Sequence, residues 1–400
     1  MLRGVVAIVA LMLTICPAYA QVEQTMHIGG DTLTYRYVPA DQTHAEVQTS
    51  GVVSGRSILD YLTFGDRELN PGASFTIFGT PFYNQEQGWG IAASGVMNYR
   101  TRTMTPGDTP SSLALRLSAS LSASCTVELT GENWLGGDRH RVGYGVSYTL
   151  DNNDIWGLDF DTARGSSYGS YSLSAAAVEG AYGYRVTDAF MVGLHANYRF
   201  MRIYDPSEWA DKLLADEVRR LSMVGVGVDI EFDTRCDDGV VTRGLYLVGS
   251  YTLRNYLLGD IPMGHNVTLR FDYYQPLWRG ATLVLDLLGE YNSAGTPWML
   301  RSVMGGEDYM RGYYVGRYIG DNMLSAQLEL RQHIWQGLGV AAWGGGGALF
   351  SADDPFAWRK VLPTYGVGLR WGMGGGASLC IDMAFGKGSH AIIAGFREVF

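Results

Sequence analysis

Apolar and polar residues alternate strictly along much of this chain. In residues 190–200 one face carries Phe190, Val192, Leu194, Ala196, Tyr198 and Phe200, and the other face carries Gly193, His195, Asn197 and Arg199. Residues 224–233 and 267–274 repeat the pattern, with charged residues opposing apolar ones. Because successive side chains of a β-strand point to opposite faces, each segment predicts a strand between two environments. Long strands of this kind are typical of a barrel with lipid outside and water inside.

Sixteen strands are predicted along the chain. They are residues 74–84, 88–100, 111–122, 125–135, 140–151, 169–185, 190–201, 222–234, 243–255, 266–277, 281–292, 323–335, 338–350, 364–373, 377–387 and 390–400. If the amino terminus is periplasmic, the even number makes the long connections 152–168, 202–221, 293–322 and 351–363 extracellular. In the second of these, Ser207 is a candidate N-cap for a short helix. The predicted fold is all-β: a 16-stranded antiparallel transmembrane β-barrel.

The first twenty residues have the features of a secretory signal. Arg3 precedes an apolar run, and Ala18-Tyr19-Ala20 is a small-x-small cleavage site. Cys16 raises the alternative of a lipoprotein signal, although Ile15 is a poor residue before a lipidated cysteine. No later stretch approaches the roughly 20 consecutive apolar residues of a membrane helix, which excludes a helical membrane protein. We expect a signal peptide in residues 1–20, a periplasmic extension or plug in 21–71, and the barrel in 72–400.

The carboxyl terminus indicates the same compartment. Phe400 ends the chain, and Phe396, Ala394 and Ile392 precede it at alternate positions, although Glu398 interrupts the apolar face. This ending resembles the terminal recognition strand of bacterial outer-membrane barrels. With the signal peptide and the alternation, it predicts an integral protein of the bacterial outer membrane, in contact with membrane lipid and lipopolysaccharide.

Composition and motifs narrow the function classes. The net charge of −10 argues against a nucleic-acid partner. Cys125, Cys236 and Cys380 are widely spaced, so neither a disulfide framework nor a zinc site is predicted. His195 and His333 have no neighbouring serine or acid in the sequence that would form a triad, and neither His-Glu-x-x-His nor a phosphate-binding loop occurs. We therefore expect no catalytic residues, no metal and no cofactor.

A glycine-rich loop with one arginine runs into the twelfth predicted strand. It begins with Gly305-Gly306 and continues to Arg311-Gly312-Tyr313, and the strand after it reads Gln-x-Glu-x-Arg around Glu329. Glycine can take positive φ in a tight turn, so the permanently charged guanidinium can be held in place. Such a group favours a carboxylate partner, and Glu329 lies on the polar face of its strand.

The loop and the strand resemble the sixth extracellular loop and twelfth strand of the BamA/TamA-type outer-membrane assembly and translocation barrels, the bacterial surface antigen family. The resemblance implies that the loop folds inward and that Arg311 pairs with an acidic group on the inner wall. It implies a weak seam between first and last strands, where a client chain is added. Because residues 21–71 are too few for the family's periplasmic POTRA domains, we expect a version that lacks them.

One position departs from the family pattern. The family's thirteenth strand has an aromatic-x-Asp-x-Gly pattern, whereas here Gly345 follows Trp343 in place of the aspartate, with Gly347 after it. Glu329 or Asp382 is the substitute partner by parity; otherwise Arg311 only orders a surface loop. Gly345 and Gly347 either let the loop approach the wall or let the barrel bend.

The resemblance favours a function in outer-membrane protein assembly or translocation, alone or as a subunit of a larger complex. Expected partners are periplasmic or lipoprotein subunits, with unfolded outer-membrane proteins as clients. The alternatives are a porin-like diffusion channel and a purely structural membrane barrel; an inward-folded loop argues against free diffusion.

Overall fold

The computed structural model describes residues 24–28, 31–35, 67–70, 73–100, 108–235, 241–306, 309–335, 337–372 and 378–396. Most of them form one closed antiparallel barrel in which each strand pairs with the next along the chain. Its sixteen strands are β1 (Ala73–Asn84), β2 (Gly88–Tyr99), β3 (Ser111–Ser120), β4 (Cys125–Leu135), β5 (His140–Ile155), β6 (Gly169–Thr187), β7 (Phe190–Tyr204), β8 (Arg220–Asp233), β9 (Gly244–Tyr256), β10 (Gly264–Pro276), β11 (Ala281–Asn292), β12 (Asn322–Trp335), β13 (Leu338–Phe350), β14 (Leu362–Gly372), β15 (Ser378–Gly386) and β16 (Ser389–Phe396).

The prediction of a 16-stranded antiparallel barrel is confirmed. Apolar residues of the alternating segments lie on the outer surface, where Val226 and Val228 of β8 are each 50% exposed. Where a predicted strand end lies among the described residues, it differs from the observed end by at most four residues, with the largest difference at the end of β5. That strand and β7 continue further than the alternation indicates because Ile155 and Ile203 are buried among loop side chains.

The barrel closes where β16 meets β1. Ala394 of β16 is opposite Tyr83 of β1, and a short strand, Arg67–Asn70, pairs with the start of β1. Counting along both strands from the Tyr83 pair, Ile393 lies opposite Asn84, where β1 ends, and residues 389–392 extend past it. We call this junction the seam. Residues 397–400, and with them Phe400, lie outside the described residues.

The long connections cover one end of the barrel, which we call the loop end. Helix α1 (Phe160–Ala163) lies between β5 and β6, and helix α2 (Glu208–Leu213) lies between β7 and β8. Ser207 caps α2 by accepting a hydrogen bond from the amide of Ala210, so the predicted short helix is present. Apolar side chains from three loops pack into two buried clusters, which include Phe160, Met310, Tyr318, Leu214, Trp298 and Ile319.

Residues 1–23 lie outside the described part of the chain, and the signal peptide there stays a prediction. In the region 21–71 the structure describes a hairpin of Gln24–Ile28 with Asp31–Tyr35, together with Arg67–Asn70. The assignment of this region as an extension or plug is likewise untested. No helix among the described residues is long and apolar enough to cross a membrane.

Val228 tests the lipid-facing surface, because it lies near the middle of β8 with its side chain half exposed. Val228→Arg should lower the free energy of unfolding in lipid vesicles by about 2–4 kcal/mol, since a charge then enters the hydrocarbon. Val228→Leu is the matched control. Equal urea midpoints for the two variants would contradict the assignment of this face to lipid.

Candidate functional site

The loop that precedes β12 lies against the inner wall of the barrel. Two short strands, Ser302–Met304 and Tyr318–Gly320, pair with each other and form its base. Between them the chain turns at Gly305 and Gly306, which have φ of +107° and +142°. A Cβ at Gly305 would lie 2.6 Å from the Tyr313 carbonyl oxygen, so this turn folds the loop tightly onto itself.

Arg311 is the centre of the contact between loop and wall. Its side chain is completely buried and meets carboxylates from two strands that are not neighbours. Nη1 lies 3.0 Å from Oδ2 of Asp382 on β15, and Nη2 donates to Oε2 of Glu329 on β12. The guanidinium also stacks on the ring of Trp343, with Cζ 3.6 Å from the ring centroid. The sequence left open which acid faces Arg311; in the structure both do.

Two further arginines complete the cluster. Arg331 Nε donates to Oε1 of Glu329 at 2.9 Å, and Arg370 donates to both carboxylate oxygens of Asp382. Each buried carboxylate therefore contacts Arg311 and a second arginine. A buried ion pair is costly unless its charges are compensated, and here each carboxylate is held by two arginines. We call Arg311, Glu329, Asp382, Arg331 and Arg370 the ion cluster.

Glycines on β14 make room for the cluster. The indole of Trp343 lies over Gly366, and the carboxylate of Asp382 lies over Gly368, because a Cβ at either glycine would overlap those side chains. Trp343 and Asp382 can thus reach Arg311 across the neighbouring strand. The sequence identified the alternating faces but not this pair of glycines, whose effect depends on the register of three strands.

Gly345 and Gly347 of β13 have different surroundings. A Cβ at Gly347 would lie 2.8 Å from the sulfur of Met310, so Gly347 admits the loop. A Cβ at Gly345 would instead meet the backbone of β12, at the Ala326 carbonyl and 2.8 Å from the Gln327 Cα. Gly345 therefore sits where a side chain, including the family's aspartate, would press on the adjacent strand.

The rest of the Arg-Gly-Tyr segment follows the wall toward β15. Gly312 has φ of +101°, and a Cβ there would lie 2.9 Å from the backbone of Phe385. Tyr313 donates from its hydroxyl to the Pro363 carbonyl at 2.6 Å. Burial raises the pKa of Tyr313, which keeps the hydroxyl protonated for this bond. Thr364 of β14 donates to the Arg311 carbonyl at 2.6 Å, so the backbone is fixed as well.

The opposite half of the inner wall borders a cavity of about 770 Å³. On this side His195 bridges Asp229 and Thr252, with distances of 2.8 Å to the carboxylate and 2.9 Å to the hydroxyl. The sequence did not indicate this group because its members lie on three strands. Thr252 lies on β9, which pairs with β8 and β10 at that position. The backbone amides of β9 are therefore used in strand pairing and are not directed at a substrate. We interpret the group as a cross-strand hydrogen-bond bridge.

The described residues contain no group of three or more His, Cys, Asp or Glu side chains that could hold a metal ion. Among the described residues, Cys125 and Cys380 are not joined in a disulfide.

The family follows from a comparison over most of the barrel. A family model described as the Omp85 superfamily domain matches residues 109–394. The chain belongs to the Omp85 superfamily. It is accordingly an integral β-barrel of the outer membrane, and the predicted compartment is confirmed. The Omp85 match includes the whole loop and every member of the ion cluster.

Solved structures share the barrel fold. BamA from Haemophilus ducreyi lacking POTRA domains 1–3 is similar at 16% identity, with a TM-score of 0.57, over 81% of this chain and 70% of that chain. CdiB from Acinetobacter baumannii has 12% identity and a TM-score of 0.55, over 82% of this chain and 60% of that chain. CdiB from Escherichia coli has 13% identity and a TM-score of 0.53, over 80% of this chain and 63% of that chain. A search of curated proteins gives no match.

Substitution of Arg311 tests the ion cluster. Arg311→Ala should lower the free energy of unfolding by about 3 kcal/mol, the lower end for breaking a buried pair, because each carboxylate keeps a second arginine. Arg311→Lys should recover only part of the loss, since an ammonium cannot span both acids or stack as a planar group. The free energy of unfolding of both variants is measured by urea titration, with heat-modifiable mobility on gels as the readout.

Arg359 supplies the control for this measurement, because it is an exposed arginine in the connection between β13 and β14. Arg359→Ala removes the same charge without touching the wall and should leave the unfolding midpoint unchanged. Equal midpoints for the Arg311 and Arg359 variants would contradict a structural role of the cluster.

Adjacent glycines on β13 test the close packing at Gly345. Gly345→Ala should destabilise the barrel by about 1–3 kcal/mol, since the new Cβ presses on the backbone of β12. Gly344→Ala should be neutral or slightly stabilising, because a Cβ there meets nothing within 4 Å. Thermal unfolding of the two variants in one detergent measures the difference, and the reverse order of stabilities would contradict the packing.

Proposed function

We propose that this barrel takes part in outer-membrane protein assembly or translocation, alone or as a subunit of a larger complex. The observation that carries the proposal is the burial of Arg311 between Glu329 and Asp382, which fixes a long loop to the inner wall of an Omp85 barrel. Similarity to BamA and CdiB supports the same class.

The loop end favours this function over free diffusion. Loops from three connections pack together there through buried side chains, among them Met310, Leu214 and Trp298. The indole of Trp298 also donates to the Val218 carbonyl at 3.0 Å, which ties two connections together. A diffusion channel needs a continuous aqueous path, and tightly packed loops at one end of the barrel argue against such a path. A porin is therefore the weaker candidate.

The seam supplies a physical route for client chains. A strand edge offers backbone donors and acceptors, and an incoming extended segment can pair with it. In this barrel β16 and β1 are staggered, so residues 389–392 extend beyond the end of β1. We propose that unfolded outer-membrane proteins pair at these strands. Periplasmic or lipoprotein subunits are the proposed partners.

Reconstitution tests the proposal directly. Vesicles of outer-membrane lipids containing the purified protein should accelerate the folding of a urea-denatured outer-membrane barrel, compared with empty vesicles. The readout is the client's heat-modifiable band over time. The Arg359→Ala protein should match the natural chain, and Arg311→Ala should be slower because loss of the ion cluster destabilises the barrel itself. Client folding at the rate of empty vesicles, with and without copurified subunits, would contradict the proposal.

A further inference from the structure

We propose that loop residues 313–315 form a clasp across the seam, with Glu86 as its contact on the β1 side. The clasp holds the two sides of the seam together at the loop end. Its consequence for clients, that the seam opens only when the clasp is released, rests on the assembly function proposed above. The clasp itself is a property of the barrel alone.

One side of the clasp lies on the last hairpin. Tyr313 accepts a hydrogen bond from the amide of Lys387, in the turn between β15 and β16, at 2.7 Å. Its ring lies over Gly386, where a Cβ would come 2.6 Å from Cε2 of the tyrosine. The same hydroxyl donates to Pro363 of β14. Tyr313 is 2% exposed, so this half of the contact is sealed from solvent.

The other side of the clasp lies beyond the seam. The amide of Val315 donates to Oε1 of Glu86, in the turn between β1 and β2, at 2.8 Å. Tyr314 reaches further along the barrel, where its hydroxyl accepts from the amide of Asp154 at 3.3 Å and its ring packs edge-on against Trp156. Three consecutive residues therefore contact the last hairpin, the first turn and the end of β5.

The position of the clasp matches the stagger of the seam strands. Beyond Asn84 the register gives residues 389–392 no opposite residue on β1, because β1 has ended. The loop connects the two sides of the seam at this level of the barrel, beyond the end of β1. A hydrogen bond from an amide to a carboxylate is charge-assisted and is stronger than a neutral one. Opening the seam at the loop end would separate Val315 from Glu86.

Glu86 lies in the turn between β1 and β2 and accepts a hydrogen bond from outside that turn. The turn of residues 85–87 already has a local bond, in which the amide of Gln87 donates to Oδ1 of Asn84 at 2.7 Å. Glu86 contacts Val315, a residue 229 positions away in the chain. The ion cluster fixes the same loop through Arg311, two residues before Tyr313, so the clasp and the cluster hold one short segment.

Hydrogen–deuterium exchange of the full chain in lipid nanodiscs tests the clasp. Glu86→Ala should accelerate exchange in residues 80–84 and 389–396 by about tenfold, which corresponds to the loss of about 1.4 kcal/mol. Gln85→Ala is the matched control, since Gln85 is an exposed side chain in the same turn. Glu86→Gln keeps an acceptor oxygen for Val315 and should retain most of the protection.

The outcomes separate the clasp from the assembly function. The clasp is overturned if hydrogen–deuterium exchange at the seam is equally fast in Glu86→Ala and Gln85→Ala. This holds whether or not the natural chain accelerates client folding. An equal acceleration in β7 to β9 also overturns it, because the effect is then global. Accelerated exchange confined to the seam supports the clasp. If exchange accelerates at the seam but no variant supports client folding, the clasp stands while the assembly function fails.

Discussion

The structure depends on one buried charge, the guanidinium of Arg311. It joins a long loop to two strands, β12 and β15, that do not pair with each other. Because the loop is fixed there, Met310 and Tyr318 enter the buried cluster at the loop end. The neighbouring Tyr313 is likewise placed against the last hairpin. The wall, the loop layer and the seam are thus connected through a segment of a few residues.

A buried guanidinium is stable in this wall because the surrounding strands provide both charge and space. Glu329 and Asp382 supply the negative charge, and Arg331 and Arg370 hold the carboxylates from the other side. Desolvation of charged groups costs free energy, so a single buried ion pair would add little net stability. Its main effect would be to fix one geometry of the loop. Glycines on β14 allow the side chains to meet, which explains how the cluster forms without an acid at position 345.

Much of the fold could be predicted from the sequence because lipid and water impose opposite requirements on alternate residues. That rule placed Glu329 and Asp382 on the inner face and located nearly all strand ends. The rule could not give the positions along the barrel axis at which residues of different strands meet, because these positions depend on the register between strands. The roles of Arg370, Gly366 and the His195 bridge were missed for this reason. The contact of Glu86 with the loop was also beyond reach, because it joins two connections rather than two strands.

Planar-bilayer conductance tests the central claim most directly, namely that Arg311 holds the loop against the wall and keeps the barrel closed. The natural chain should show only small, irregular currents, and Arg311→Ala should show larger and longer openings as the loop leaves the wall. Arg359→Ala should behave as the natural chain. Large, steady channels in the natural chain, or identical currents in all three proteins, would contradict the account.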